Sequence, residues 1–177
     1  MPARISALPT NLPLSPVCRP TQGLATGDNG RFVRNWSEIS FYKLGLNKEA
    51  NDFYSRRSYK WFPYNKGGEF RRWYGNQENI VNWENNGDEI RNFYDEKNKL
   101  RSRPQNTEYY LKESVSWSKI SSGKPAFRLF PKGFIFDVAG TSIFSPSDEL
   151  LHISLGYTNS IIVRKILEVL SPTLNFE

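Results

Sequence analysis

Between positions 59 and 76 large flat rings and cations are interleaved around a Gly67-Gly68 turn, which restricts the chain to folds that can either bury those rings or display them. Tyr59, Trp61, Phe62, Tyr64, Phe70, Trp73 and Tyr74 stand among Lys60, Lys66, Arg71 and Arg72, with Arg56 and Arg57 just ahead and Glu69 as the opposing acid. Cations neutralise phosphates and rings stack on bases, so the mixture suits a polynucleotide better than a purely ionic partner. The competing reading is that the rings form core. The charge balance favours a surface that touches nucleic acid.

Of 177 residues, 38% are hydrophobic and 15% are Phe, Trp or Tyr, so the core must lean on rings rather than aliphatics. A domain of this size buries roughly 70% of its extended-chain surface and needs no staples. The expectation is an α+β fold with an antiparallel or mixed sheet and helices concentrated toward the C-terminus. Cys18 and His152 are each the only residue of their type. That excludes an intramolecular disulfide and a zinc ligand set of the Cys/His kind, and leaves no Cys/His or Ser/His nucleophile pair beyond whatever His152 alone serves. The formal charge of +6 draws the chain toward DNA, RNA or an anionic surface. No apolar run approaches the roughly 20 residues that span a bilayer, and no secretory signal is evident, so a soluble cytoplasmic protein without a membrane partner is expected.

Residues 1–21 carry Pro2, Pro9, Pro13, Pro16 and Pro20 and read as an extended or disordered tail or linker ahead of one domain at 22–177. Partial alternation over 32–44 predicts a strand or hairpin, and 47–57 a short helix. Ile80 to Trp83 suits a strand, Glu84 to Gly87 breaks it, and Ile90, Phe93 and Tyr94 fall at helical spacing. Clean alternation over 115–120, followed by 126–130 and 134–138 around Pro131-Lys132-Gly133, predicts three strands, the last two joined at that turn. Ser147 is set to cap a C-terminal helical section broken near 156–159.

Several catalytic patterns fail on inspection. Lys124 after Ser122-Gly123 lacks the first glycine of a phosphate-binding loop, and Pro125 stands where a magnesium-binding hydroxyl is needed. Asp88 with Asp95, Glu96 and Lys97 resembles a metal-nuclease pattern but reads better as a solvated charge run. Asp28, Glu38 and Asp137 offer acids for a glycosidase pair with no spacing to support it. No metal site is expected.

The candidate DNA contacts fall in clusters. Arg31 and Arg34 follow the glycine-rich GLATGDNGRF loop, whose amides can approach a phosphate or serve a turn. Arg56, Arg57, Lys60, Lys66, Arg71 and Arg72 are read as phosphate contacts beside Trp73. Arg101, Arg103, Gln105 and Asn106 combine guanidinium forks and amides suited to guanine and adenine edges. Ser121, Ser122 and Lys124 form a further phosphate-binding group.

GLATGDNGRF, KWFPYNKGGEFRRWYGN, VNWENNGDEIRNF, LRSRPQN, WSKISSGK, GFIFDVAG and SPTLNFE, in that order, resemble the C-terminal half of the adenine-specific DNA methyltransferases of BREX phage-exclusion systems (PglX type). The resemblance runs from about residue 22 to 177. It implies the target-recognition region that follows a Rossmann-like catalytic domain, as in type IIG restriction-modification enzymes, with double-stranded DNA and that catalytic domain as partners. It implies S-adenosylmethionine as the cofactor of the parent enzyme. This chain has neither an Asn-Pro-Pro-Tyr or Asp-Pro-Pro-Tyr element nor a glycine-rich cofactor loop, so no cofactor and no methyl transfer are expected of it alone, and the recognition region is expected to be incomplete at 177. A second reading is a protein-interaction module that docks the catalytic domain or another defence subunit. A third, a carbohydrate-binding module, would use Trp61, Trp73 and Trp83 as platforms.

Overall fold

The WFPYN run that opens the ring-rich stretch is strand β3 (Trp61–Asn65), and all five residues are buried. Alternation sends Phe62 and Tyr64 to one face with Leu24, Val81, Trp83, Ile135 and Phe136. Trp61 goes to the other, against Leu44 and Ile80. Here the expectation of a ring-bearing surface is corrected: a strand with neighbours on both sides and side chains on both faces has nowhere to display rings. The computed structural model describes residues 19–46, 48, 59–120 and 124–170. Apart from Lys48, the expected 47–57 helix lies outside them, as does most of the proline-rich segment.

β3 sits between β4 (Asn79–Asn82), which runs antiparallel to it, and β7 (Ile135–Phe136), which runs parallel. With β2 (Val33–Asn35) the order is β2-β4-β3-β7, a mixed sheet. A second, wholly antiparallel sheet has the order β1-β8-β5-β6, from β1 (Arg19–Thr21), β8 (Ser142–Phe144), β5 (Ser114–Ser116) and β6 (Arg128–Phe130). The fold is α+β, as expected. Asn65 joins the two sheets: buried at the end of β3, its Nδ2 donates to Ser116 Oγ of β5 at 2.7 Å and to the Gly140 carbonyl at 3.3 Å.

The 32–44 strand reduces to three residues because side-chain caps outcompete the ladder. Asp28 caps α1 (Asn29–Phe32), and Asn35 and Glu38 close a reciprocal capping box over a 3-10 turn at Trp36–Glu38. The strands on either side of Pro131-Lys132-Gly133 do not form a hairpin. Gly133 N–H donates to the Leu111 carbonyl at 2.9 Å and Leu111 N–H to that of Phe134 at 2.8 Å, which peels β7 away from β6 and into the other sheet. The break at 84–87 is a left-handed run. α2 (Glu84–Arg91) contains Asn85, Asn86 and Gly87 at φ 49°, 60° and 76°, and Gly87 lies beneath Trp83, whose ring a Cβ would meet at 2.6 Å.

α3 (Asp148–Thr158) starts where Ser147 Oγ accepts from Leu150 N–H at 3.4 Å, with Asp148 and Glu149 favoured at its positive end. Leu151 and Leu155 pack on Val115, Trp117, Phe127 and Ile143. The helical section breaks after Asn159, whose side chain bonds the Phe127 backbone both ways, and resumes as α4 (Ile161–Leu170). No helix among the described residues is long and apolar enough to cross a membrane.

Candidate nucleic-acid interface

The second half of the ring-rich stretch does what the first half does not. After β3 the chain turns at Gly67, where φ is +72° and a Cβ would sit 2.7 Å from the Ala139 carbonyl, so only glycine fits. Ser118 Oγ donates to the Gly68 carbonyl at 2.7 Å, and Asn76 Nδ2 to that of Glu69 at 2.9 Å. Trp73 N–H donates to the Phe127 carbonyl and the Trp73 carbonyl accepts from Leu129 N–H, both at 3.0 Å, which bonds the loop to the β6 edge. A backbone held at both ends and in the middle thus presents Phe70 at 52%, Trp73 at 52% and Tyr74 at 68% exposure, with exposed Arg71 among them. Arg72 is half-buried and its guanidinium lies 5.6 Å from the Phe70 ring centre. Trp73 occupies left-handed backbone at φ +70°, unfavourable for a bulky residue and concentrated in proteins at sites of function.

Arg128 stands behind this loop. It is 1% exposed and donates through Nη2 to Ser118 Oγ at 2.8 Å and through Nη1 to the Arg71 carbonyl at 3.4 Å, with the Glu78 carboxylate acting on it from further off. Burial, then the proximity of Arg71, brings its pKa down to about 10, with Glu78 opposing. Lys66, at the entry to the loop, is half-buried; burial lowers its pKa, with Asp137 opposing.

The other candidates are distributed differently. Arg31 pairs with Glu89 at 2.7 Å, and that bond holds the Glu89 carboxyl below its usual range. Arg31 and Arg101 lie 5.1 and 5.0 Å from the Phe93 ring centre, so the structure brings these two together across one ring. Arg34 is spent on the Gly30 and Val33 carbonyls and lies over Trp61. Lys60 faces Glu84 at 3.5 Å. Arg103 is exposed, with its backbone bridged to Ala25. Gln105 and Asn106 donate their amides to the Gly23 and Gln22 carbonyls at 3.1 and 2.8 Å, so a bidentate contact with adenine requires those bonds to open. Lys124 is exposed on the side of Glu168, whose carboxyl it helps to lower after Lys165. Arg56, Arg57, Ser121 and Ser122 lie outside the described residues.

The acids take structural parts. Asp28 and Glu38 cap turns, Asp95 accepts from the backbones of Lys97 and Lys99, and Asp137 is buried against Tyr64. No cluster of metal-ligating side chains occurs among the described residues. Arg128 and Asn65 escaped the sequence reading because nothing local separates a buried polar residue in a strand from an exposed one.

No protein-family model matches the chain. Over 157 residues it is 40% identical to the adenine-specific methyltransferase PglX of Lacticaseibacillus casei (strain Zhang), covering 88% of this chain and 13% of that protein. The chain is homologous to one segment of the BREX adenine-specific methyltransferases. A second such relative, the adenine-specific methyltransferase BrxX of Escherichia coli O9:H4 (strain HS), is 37% identical over 161 residues, 89% of this chain and 12% of its own length. The chain thus spans only 12–13% of the length of these curated BREX relatives.

Proposed function

We propose that this chain is a DNA-binding target-recognition segment of an N6-adenine DNA methyltransferase of a phage-defence system. The observation that carries this reading is the anchored loop with Phe70, Arg71, Trp73 and Tyr74 exposed together, in a chain homologous to adenine-specific methyltransferases. Guanidinium groups on such a loop neutralise backbone phosphates, and rings held beside them stack or wedge. The physical task is to grip duplex DNA while a separate catalytic segment extrudes the adenine. The parent enzyme uses S-adenosylmethionine. The one Gly-Gly turn after a strand does not fit that cofactor: Gly67 packs against the Ala139 carbonyl, which leaves no cradle there. Catalysis belongs to the rest of the parent. Titration of a fluorescent duplex with the chain at rising salt tests the reading, with affinity falling steeply between roughly 50 and 200 mM if phosphate neutralisation dominates. Salt-insensitive binding, or none at low ionic strength, would count against it.

A second reading has its own observation. On α3 and α4, Ile153, Tyr157, Ile161, Ile162, Ile166 and Val169 are all exposed, an apolar face that suits docking against the catalytic segment. Binding of the chain to a separately expressed catalytic segment, unaffected by added DNA and lost in Ile162→Lys, would favour docking as its main role.

A further inference from the structure

Arg128 opens β6 with its side chain buried, like that of Phe130 two residues on. Its guanidinium serves two points of the 67–75 loop. Nη1 donates to the Arg71 carbonyl at 3.4 Å, and Nη2 donates at 2.8 Å to Ser118 Oγ, whose own hydroxyl donates to the Gly68 carbonyl at 2.7 Å. The backbone on either side takes a third point, since the Phe127 carbonyl and Leu129 N–H bracket Trp73. Residues 127–129 and Ser118 thus fix the loop at 68, 71 and 73. Two acceptors reached at once call for a planar fork, which a single ammonium does not supply. The arrangement does little for the fold itself. Arg128 is 1% exposed, its guanidinium meets neutral oxygens, and its Nε donates to nothing among the described residues. A buried cation so sparsely satisfied adds little stability, and an apolar side chain of similar volume often serves a fold as well. Trp73 meanwhile sits at φ +70°, a conformation that persists only where its surroundings over-determine it.

We propose that Arg128 is the positioning residue of this loop: it touches no DNA, and by holding the Arg71 carbonyl directly and the Gly68 carbonyl through Ser118 it sets where Arg71, Arg72 and Trp73 meet the duplex. The inference rests on the reading of the loop as a DNA contact. A guanidinium covered to this degree does not reach a phosphate while the loop is in place, so its effect on DNA is exerted through the more exposed side chains of the loop.

The test compares the full 177-residue chain, Arg128→Met, the pair Arg71→Ala with Arg72→Ala, and all three changes together, in duplex titrations at graded salt. Arg128→Met is expected to lower the log–log slope by about 0.9–1.8, as one or both loop arginines lose their phosphates, and to lower it no further once the pair is already changed. A loss of about 0.9 in both backgrounds would make Arg128 itself a phosphate contact, and an unchanged slope would make it a structural residue only; either overturns the proposal. Hydrogen exchange gives a readout without DNA. The Trp73 amide should exchange at least about 10-fold faster in Arg128→Met, while the Trp83 amide, bonded to the Lys60 carbonyl at 2.9 Å in the core, is unmoved. Equal Trp73 exchange in the two proteins, or acceleration of both amides alike, overturns the proposal. If Arg128→Met does not fold, Ser118→Ala severs the link to Gly68 and must speed the Trp73 amide in the same way; an unmoved amide there overturns it equally. Absence of duplex binding by the unmodified chain, beside a Trp73 amide freed in Arg128→Met, supports the hold of Arg128 on the loop and sinks the recognition reading alone.

Discussion

The Tyr64 hydroxyl donates to the Asp137 carboxylate at 2.5 Å in the core, where β3 meets the chain leaving β7 and the bridge from Leu24 to Asp137. Tyr64 Oη also lies 3.2 Å from the Leu24 carbonyl, and Asp137 N–H donates to the Asn65 carbonyl at 2.9 Å. Segments distant in sequence therefore converge on one polar pair.

Burial pushes the Asp137 carboxyl up, with the bonds from Tyr64 and Ala139 pulling the other way. A carboxyl whose folded pKa exceeds its unfolded one holds its proton longer when folded. Its contribution to stability is full below the unfolded value, near pH 3.9, and is lost as pH rises through the raised folded value. Asn at 137 keeps the volume and cannot ionise. The stability of Asp137→Asn relative to the unmodified chain should improve as pH rises from about 4, read from urea midpoints. A difference constant with pH would contradict this.

Asn65 is the polar weld between the sheets. Asn65→Ala removes the bonds to Ser116 and Gly140 and leaves Gly67 N–H without its acceptor. The expected cost is about 2–4 kcal/mol in denaturant unfolding, since buried partners are left unmet. A loss under about 0.5 kcal/mol would show that the sheets are held by packing alone.

Local signals in the sequence were enough for the elements whose chemistry is local. Ser147 announces α3, Asn159 falls within the expected break, and Ile80 and Val81 mark β4. What it hid was pairing. Nothing in Trp61, Phe62 or Tyr64 says that they turn inward while Phe70, Trp73 and Tyr74 turn outward, because that depends on β4 and β7 closing on β3. The RPQN amides look like base readers in isolation. Only the arrival of residues 22–23 alongside gives Gln105 and Asn106 backbone partners.

Trp73 combines strained backbone with an exposed ring. Trp73→Gly should leave stability unchanged or raise it by up to about 1 kcal/mol, because glycine adopts positive φ freely. The same change should weaken binding to DNA by about 1–3 kcal/mol if the ring stacks. Thermal unfolding and fluorescence titration separate the two effects, and weakened binding that merely tracks lost stability would remove the ring from the interface.

Arg31 is already matched by Glu89 at 2.7 Å. Arg31→Gln is expected to change the salt slope of DNA binding by much less than the roughly 0.9 per phosphate of a free cation. A full unit lost in that titration would mean that the pair opens on DNA.

The most direct test is the log–log dependence of duplex affinity on salt for the unmodified chain and for Arg71→Ala with Arg72→Ala. Both changes leave the Arg71 carbonyl that receives Arg128, so the loop keeps its anchor. The slope is predicted to fall in magnitude by about 1.8, two phosphates at about 0.9 each, with the fold unchanged by circular dichroism. Identical slopes in the two proteins would contradict the assignment of this loop to DNA.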